Sequence, residues 1–242
     1  MVTSLVEALE ARGLVCVVGA GGKKTTLYRL ATLISRAVVT TTVRIPHFDE
    51  QVNRVHVTQD PVGALASTTD WPVGVVPGRE ETRYTGYDPE TVAAIARSDL
   101  ADAILVKADG ARTRWLKAPN ASEPRIPKTA DAVIPIASAR IVGEPLDDEH
   151  VHRPGLVAEL TGLELGESIS PRDVATVLVS SNGGLKGVPA GATVVPLINM
   201  VDDAGLETVG REIAARVLDS PQVSHVVLAR MVADDPVVAI LE

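Results

Sequence analysis

Short apolar runs alternate with amphipathic segments along most of the chain. The runs are rich in Val, Ile, Leu and Ala, which is typical of strands buried on both faces. Strands are predicted at 14–18, 37–41, 73–76, 103–106, 133–136, 193–198 and 226–229. Apolar residues at helical spacing predict helices at 3–11, 25–35, 61–67, 89–97, 154–160, 171–178 and 204–218. This alternation predicts an α/β fold, a mainly parallel sheet with helices on both faces.

The length favours one domain. The chain has 242 residues, with no internal repeat and no strong linker. We therefore predict a single domain over residues 1–242, in which residues 139–192 are a possible small subdomain. Residues 111–130 contain three prolines and several basic residues. They are predicted to form a long loop, and loops of that length are more often functional than accidental.

Composition and charge narrow the function classes. Hydrophobic residues make up 45% of the chain and the net charge is −8, which disfavours a general nucleic-acid-binding surface. No apolar run approaches the roughly 18 residues of a membrane span, and Glu7 and Glu10 interrupt the first apolar segment. The single cysteine, Cys16, can form no internal disulfide. We expect a cytoplasmic protein without membrane or nucleic-acid partners.

A glycine-rich segment follows the first predicted strand and precedes a predicted helix. Such a turn presents backbone N–H groups to phosphate oxygens, because glycine removes the side chains that would block their approach. The helix start behind the turn adds a positive dipole end. We predict that this segment binds the phosphates of ATP or GTP. It comprises Gly19, Ala20, Gly21, Gly22, Lys23, Lys24, Thr25 and Thr26.

The order of lysine and hydroxyl residues leaves two interpretations open. In the usual phosphate loop a Gly-Lys pair is followed directly by Ser or Thr, whose hydroxyl binds Mg²⁺. Here Lys24 stands at the hydroxyl position. Either Lys23 binds the phosphates and Thr25 the metal, which we prefer, or the loop is shifted and Lys24 is the phosphate lysine. The dinucleotide fingerprint fits less well, because its third glycine falls on Lys24.

An aspartate ends a later apolar strand. Asp109 precedes Gly110, and a carboxylate at such a strand end holds Mg²⁺ in phosphate-loop proteins. The alternative is a helix-cap or turn aspartate. Thr40, Thr41 and Thr42 end the second predicted strand and are candidates to line the nucleotide, although Thr is common at strand ends.

Basic residues crowd the loop after Asp109. Arg112, Arg114 and Lys117 are candidates to bind an anionic substrate, a second phosphate group or partner carboxylates; a solvated basic loop is the alternative. We predict Lys23, Asp109 and Arg112 as the catalytic residues, with Thr25 and Asp109 as the metal ligands.

Asn199 and Asp202 are candidates for base recognition. They follow the predicted strand 193–198 with the N-x-x-D spacing of many GTP-binding proteins, but Met200 replaces the lysine of that motif. The alternative is a turn after a strand, where Asn and Asp are common.

Several segments resemble the YqeC proteins, which are described as accessory proteins of selenium-dependent molybdenum hydroxylases. The resemblance begins at the glycine segment and continues in the same order to about residue 203. It rests on the segments 18–31, 39–45, 108–112, 116–119, 123–124 and 151–153 and on Asn199 and Asp202. It implies a P-loop NTPase-like fold and a role in maturing a selenium- or molybdenum-containing hydroxylase.

Two positions depart from the pattern of that family. Lys107 replaces its usual glutamate, and Lys24 replaces its first threonine after the phosphate lysine. Both departures add positive charge near the expected metal site.

Three functions follow as hypotheses. The leading one is an NTP-binding, Mg²⁺-dependent NTP-hydrolysing accessory protein, whose partner is a molybdenum hydroxylase or a cofactor-maturation protein. The second is a small-molecule kinase, with Arg112, Arg114 and Lys117 holding the acceptor. The third is a nucleotide-sensing binding module without turnover.

Overall fold

The computed structural model describes residues 4–242, in which strands and helices alternate. The α-helices of this range are α1 (Leu5–Ala8), α2 (Lys23–Leu33), α3 (Pro61–Ala66), α4 (Pro89–Arg97), α5 (Pro154–Thr161), α6 (Pro171–Val179) and α7 (Ala204–Val217). Two short 3₁₀ helices lie at Asp49–Gln51 and Ala139–Ile141. Helices of this kind supply the crossover connections that parallel strands require.

The strands build one large sheet and two small ones. They are β1 (Gly13–Gly19), β2 (Ala37–Thr41), β3 (Ile45–Pro46), β4 (Arg54–Val57), β5 (Val73–Val76), β6 (Arg83–Tyr84), β7 (Ala103–Lys107), β8 (Leu116–Lys117), β9 (Ala132–Ser138), β10 (Val151–His152), β11 (Thr193–Val194), β12 (Leu197–Asn199), β13 (Val226–Ala229) and β14 (Val237–Leu241). The ten-stranded sheet has the order β14-β13-β12-β9-β1-β7-β2-β5-β4, with β11 beside β9. β3 pairs with β6, and β8 with β10.

The large sheet is parallel except at one edge, where β13 and β14 are antiparallel. β1 lies near its centre and is buried on both faces. Val15 and Val17 pack with the α2 residues Leu27 and Leu30. The alternate residues of β1 face α4 on the other side. The prediction of an α/β fold, with a mainly parallel sheet and helices on both faces, is confirmed. The P-loop NTPase-like assignment stays a prediction.

The strand order places a crevice at the end of β1. β7 and β2 lie on one side of β1 in the sheet, and β9 lies on the other side. The chain therefore fills the first side before it crosses to the second. Ligands of open α/β sheets bind where the strand order reverses in this way, beyond the carboxyl ends of the strands. The strand-end residues Gly19, Thr41, Lys107, Ser138 and Asn199 all lie along this edge. The topology therefore brings the sequence-predicted segments together.

The helix that follows β1 begins earlier than predicted. The pattern indicated 25–35, but α2 runs Lys23–Leu33 because Gly22 is its N-cap, with φ 128°. The predicted helix 3–11 is also shorter: residue 3 lies outside the described residues, and α1 occupies Leu5–Ala8. Ser4 and Glu7 form a capping box at its start.

One strand prediction needs correction. The single strand expected at 193–198 is divided into β11 and β12. Pro196 lies between them and has no N–H for a sheet ladder, while its carbonyl accepts from Val227 N at 3.0 Å. Six strands were not predicted. Four of them, β3, β6, β8 and β10, have two residues each, and the other two, β4 and β14, lie at the edges of the large sheet.

Residues 139–192 pack against the same sheet as the rest of the chain. Val157 of α5 and Val174 of α6 share a buried cluster with Ile213 of α7 and Ile198 of β12. The proposed division into a domain and a subdomain stays a prediction. Within residues 4–242, no helix combines the length and the apolar character that a membrane crossing requires.

We expect Ile134→Ala to lower the free energy of unfolding by about 2–5 kcal/mol, because it leaves a cavity in the sheet centre. Ile134 lies in β9 and is fully buried. Chemical denaturation measures the change. Leu165→Ala is the matched control, since Leu165 is 66% exposed. Equal losses in the two variants would contradict the assigned core.

Candidate functional site

The turn after β1 can be built only with glycine at three positions. Gly19, Gly21 and Gly22 have φ of 88°, 91° and 128°, a region that disfavours other residues. A Cβ on Gly21 would lie 2.6 Å from Ser138 N, and those on Gly19 and Gly22 would collide with Ile136 O and Asn199 Nδ2. The turn is therefore fixed by its backbone and by close approach to β9 and β12.

Four consecutive backbone N–H groups of the turn have no acceptor among the described residues. They belong to residues 22–25, at the start of α2, where a helix leaves its first N–H groups unpaired. Ala20 N and Gly21 N instead donate to Ile136 O and Arg114 O, both at 2.9 Å. The amides able to meet an anion are thus those of residues 22–25 rather than the whole segment 20–25.

Lys23 is the buried lysine of the turn. Its side chain is 5% exposed, and its Nζ donates to Gly19 O and lies 2.9 Å from Asp109 Oδ1. Burial lowers the pKa of Lys23, and the adjacent Asp109 opposes this effect. The lysine therefore joins the turn to the carboxylate that follows β7.

Asp109 is almost completely buried between two ammonium groups. Its Oδ2 lies 2.8 Å from Lys117 Nζ and accepts from Gly19 N at 2.9 Å. Its Oδ1 faces Lys23 but accepts no aligned hydrogen bond. Burial alone raises the pKa of Asp109, but Lys23 and Lys117 outweigh it and hold the pKa below its ordinary value. The carboxylate is therefore ionised, and its Oδ1 could bind a further ligand only if Lys23 moved away from it.

An ion network extends from Asp109 into the long loop. Lys117 Nζ lies 2.9 Å from Glu123 Oε2, and Arg153 Nη1 donates to the same oxygen at 2.7 Å. Gly110 N donates to Glu123 Oε1 at 3.1 Å. Burial raises the pKa of Glu123, but the bonds to Arg153 and Lys117 outweigh burial. The pKa of Glu123 therefore lies below its ordinary value. Lys117 is thus a buried ion-pair partner of two carboxylates.

A cavity of about 940 Å³ opens beside the turn. It is bounded by the start of α2, by the segments before β3 and after β7, and by the start of α5. Its lining includes eight Lys and Arg side chains and one carboxylate, that of Glu123. The basic residues are Lys23, Lys24, Arg44, Arg83, Lys107, Arg112, Arg114 and Arg153. Although the whole chain is acidic, this cavity is strongly cationic and suits an anion.

The other predicted residues of the turn and loop occupy different surroundings. Lys24 and Thr25 both line the cavity; Lys24 is half-buried, and Thr25 is exposed on the first turn of α2. Thr26 is buried, and its hydroxyl donates to Gly22 O at 3.1 Å. Arg112 and Arg114 line the cavity and form no ion pair with a described residue.

Several backbone conformations around the cavity are unusual. Arg112, Thr113, Arg153 and Met200 have φ between 48° and 67° and all line it. Positive φ is uncommon outside glycine, and such residues cluster at functional sites. The surrounding contacts, such as Gly21 N to Arg114 O, hold these residues in place.

The three threonines at the end of β2 bond to backbone and not toward the cavity. Thr40 donates to Val75 O at 2.7 Å, Thr41 to Lys107 O at 2.8 Å, and Thr42 to Arg125 O at 2.8 Å. All three are buried. Their hydroxyls therefore join the strand ends that surround the site.

Asn199 braces the turn. Its Nδ2 donates to Gly21 O at 2.8 Å, and its Oδ1 accepts from Met231 N at 3.2 Å. Asp202 accepts from Arg140 Nε at 2.9 Å. Asn199 thus has both polar atoms engaged inside the protein, and its part in base recognition, with that of Asp202, stays a prediction.

Sequence reasoning did not select Arg44 and Arg83, and it gave Lys107 no role beyond added positive charge near the expected metal site. Lys107 ends β7 two residues before Asp109, so the strand-end rule that selected Asp109 also points to it. Arg44 and Arg83 carried no such signal, because only the pairing of β3 with β6 brings them together. Burial lowers the pKa of Lys107 to about 7, and Lys23 adds to the effect.

The residues present fit a polyphosphate with Mg²⁺. Mg²⁺ typically binds through one or two carboxylates plus substrate phosphates and water. Asp109 Oδ1 is a buried oxygen without an aligned donor, and Thr25 supplies a hydroxyl on the same turn. Within residues 4–242, no group of three or more His, Cys, Asp or Glu side chains is placed to hold a metal by itself. A metal here therefore needs phosphate oxygens among its ligands.

Comparison with known proteins identifies the family. The YqeC protein family matches residues 15–155, which include the glycine turn and the ion network. The Escherichia coli K12 protein named "Uncharacterized protein YqeC" is 31% identical over 196 residues, which cover 76% of this chain and 75% of that protein. No solved structure matches the chain. The chain therefore belongs to the YqeC family.

Proposed function

We propose that this protein binds a nucleoside triphosphate with Mg²⁺ at the turn after β1 and hydrolyses it. The observation that carries the proposal is the combination of four free N–H groups at residues 22–25 with a buried lysine and aspartate at the same turn. Backbone amides, one lysine and one strand-end carboxylate are what a phosphate loop supplies. The cationic cavity beside them supports an anionic ligand.

Lys23 would exchange partners when the nucleotide binds. In the structure its ammonium group is held by Gly19 O and Asp109. The phosphates offer several negative oxygens to the same group, and charge-assisted hydrogen bonds of this kind are the strong ones. Asp109 would then hold Mg²⁺ directly or through water, with Thr25 beside it. The bound Mg²⁺ supplies charge neutralisation for the transferred phosphoryl group.

Arg112 would stabilise the charge that develops on the phosphates during hydrolysis. It lines the cavity next to the turn and has no carboxylate partner among the described residues. An arginine in such a position contributes strongly to phosphoryl transfer.

The long loop would transmit the nucleotide state. Glu123 and Lys117 join this loop to Asp109, so a change at Asp109 reaches residues 111–130 through direct ion pairs. Ordering or release of a loop by a γ-phosphate is a known switching device. We propose that this change regulates a partner, a molybdenum hydroxylase or a protein that matures its cofactor. The partner class rests on the family resemblance.

A small-molecule kinase is the second candidate function. The observation that favours it is the number of basic residues that line the cavity besides Lys23 and Lys24 of the turn, among them Arg112 and Arg114. Lys117 would not hold the acceptor of such a kinase, because it is buried against Asp109 and Glu123. Appearance of a phosphorylated small molecule, rather than free phosphate stimulated by a partner protein, would separate the two functions.

We expect Lys23→Met to weaken nucleotide binding by about tenfold to a hundredfold, because it removes a charge-assisted hydrogen bond worth about 1.5–3 kcal/mol. The measurement is the rise in melting temperature with ATP or GTP and Mg²⁺. Phosphate release, assayed in parallel, should be lost.

Lys24→Met is the matched control for that variant, since Lys24 is the adjacent lysine of the turn. A smaller effect than that of Lys23→Met is expected. If Lys24→Met abolishes the nucleotide-induced shift while Lys23→Met retains it, the shifted-loop interpretation holds and our assignment is wrong.

Gly21→Ala should abolish nucleotide binding, because its Cβ would push the turn away from Ser138. Gly143→Ala provides a control with the same backbone strain. Gly143 has φ 93°, close to the 91° of Gly21, but has nothing within 4 Å of the added Cβ. Both variants should lose about 1–2 kcal/mol of stability to strain.

Only Gly21→Ala should lose the nucleotide-induced rise in melting temperature. A full nucleotide response in folded Gly21→Ala would show that the shape of this turn is not needed for binding.

A further inference from the structure

Lys107 is a buried lysine at the end of β7. The residue is 7% exposed, and its Nζ donates to Arg44 O at 2.9 Å. No ion pair of residues 4–242 includes it. A buried ammonium group that lacks a counter-charge is costly, and a bound anion would supply one. Lys107 also lines the cavity, so that anion can come from solution.

The wall next to Lys107 is basic as well. It consists of Arg44, β3 and β6, in which Pro46 pairs with Arg83. Arg83 is exposed, lines the cavity and forms no ion pair with a described residue. Arg44 is held by Glu80, with its Nε 3.0 Å from Glu80 Oε2. Because Lys107 Nζ bonds to Arg44 O, the position of this wall is tied to the end of β7.

The charge of the cavity exceeds what one nucleotide neutralises. The phosphates of a nucleotide bound at the turn would face Lys23 and the amides of residues 22–25, and bound Mg²⁺ would reduce their charge further. Lys107 and Arg83 would remain without a negative partner. No Phe, Tyr or Trp of the described residues lines the cavity, so this wall offers no aromatic ring on which the nucleotide base could stack.

We propose that Lys107 and Arg83 form a second anion-binding subsite, which takes the phosphate or carboxylate group of a small molecule lying beside the nucleotide. The placement beside a nucleotide rests on the proposed function. The oxygens of the anion would accept hydrogen bonds from Lys107 Nζ and from the planar guanidinium of Arg83. The geometry of a guanidinium matches both phosphate and carboxylate. The small molecule is therefore the partner substrate or effector of the nucleotide site.

The test is a calorimetric titration of the full chain with inorganic phosphate, and separately with succinate. Both titrations are made with the turn first saturated by a non-hydrolysable ATP or GTP analogue and Mg²⁺. Saturable binding of one probe is expected and identifies the anion as phosphate or carboxylate. Lys107→Met and Arg83→Ala should each weaken that binding by about tenfold or more, because each removes a charge-assisted contact. Arg83→Ala changes an exposed side chain, so it remains informative if Lys107→Met fails to fold.

Arg97→Ala is the control for loss of a positive charge elsewhere. Arg97 is exposed, pairs with Glu90 on α4 and lies outside the cavity lining. It should bind the probe as the unmodified chain does. The proposal is overturned if neither probe binds saturably, or if Lys107→Met and Arg83→Ala bind it as tightly as Arg97→Ala.

Lys23→Met without nucleotide separates this proposal from the proposed function. The second subsite is supported if the probe binds Lys23→Met but not the double variant that carries both Lys23→Met and Arg83→Ala. This result would stand even if no nucleotide ever binds. Probe binding that depends on Lys23 alone places the anion at the turn and overturns the proposal.

Discussion

The site depends on the ion pairs and hydrogen bond that the buried carboxylate of Asp109 makes. This carboxylate lies at the end of a central strand, where the cost of removing a charge from water is high unless several partners meet it. Lys23, Lys117 and the N–H of Gly19 supply those partners at 2.8–2.9 Å. Three separate parts of the chain, namely the glycine turn, the start of α2 and the long loop, are thereby held at one point.

This arrangement explains why a cationic cavity persists in an acidic protein. The ion pairs around Asp109 use Lys23 and Lys117, and Arg153 pairs with Glu123. The remaining basic residues of the lining have few carboxylates to meet, so the cavity keeps a positive potential despite the net charge of −8. Under the proposed function, an anion that entered the cavity would compete with Asp109 for Lys23. Its binding would then be linked to a rearrangement of the ion network.

Local pattern was sufficient to predict the main elements of the site. The strand–glycine–helix order located the turn, and the rule for strand ends located Asp109. The same reasoning could not predict that Asn199 braces Gly21, because that contact joins residues far apart in the chain. It also left the role of Lys117 open, because its burial against Asp109 depends on how the long loop folds back onto the sheet. Contacts that depend on tertiary packing, such as the approach of Arg83 to the cavity, leave no periodic trace in the sequence.

The proposed function requires that Lys23 leave Asp109 for a polyphosphate held by the amides of residues 22–25. A crystal structure with Mg²⁺ and a non-hydrolysable nucleoside triphosphate would show whether it does. We expect phosphate oxygens within hydrogen-bond distance of those amides and of Lys23 Nζ, with Asp109 turned to the metal or its water. A nucleotide bound elsewhere, with the Lys23–Asp109 pair intact, would overturn the proposed function.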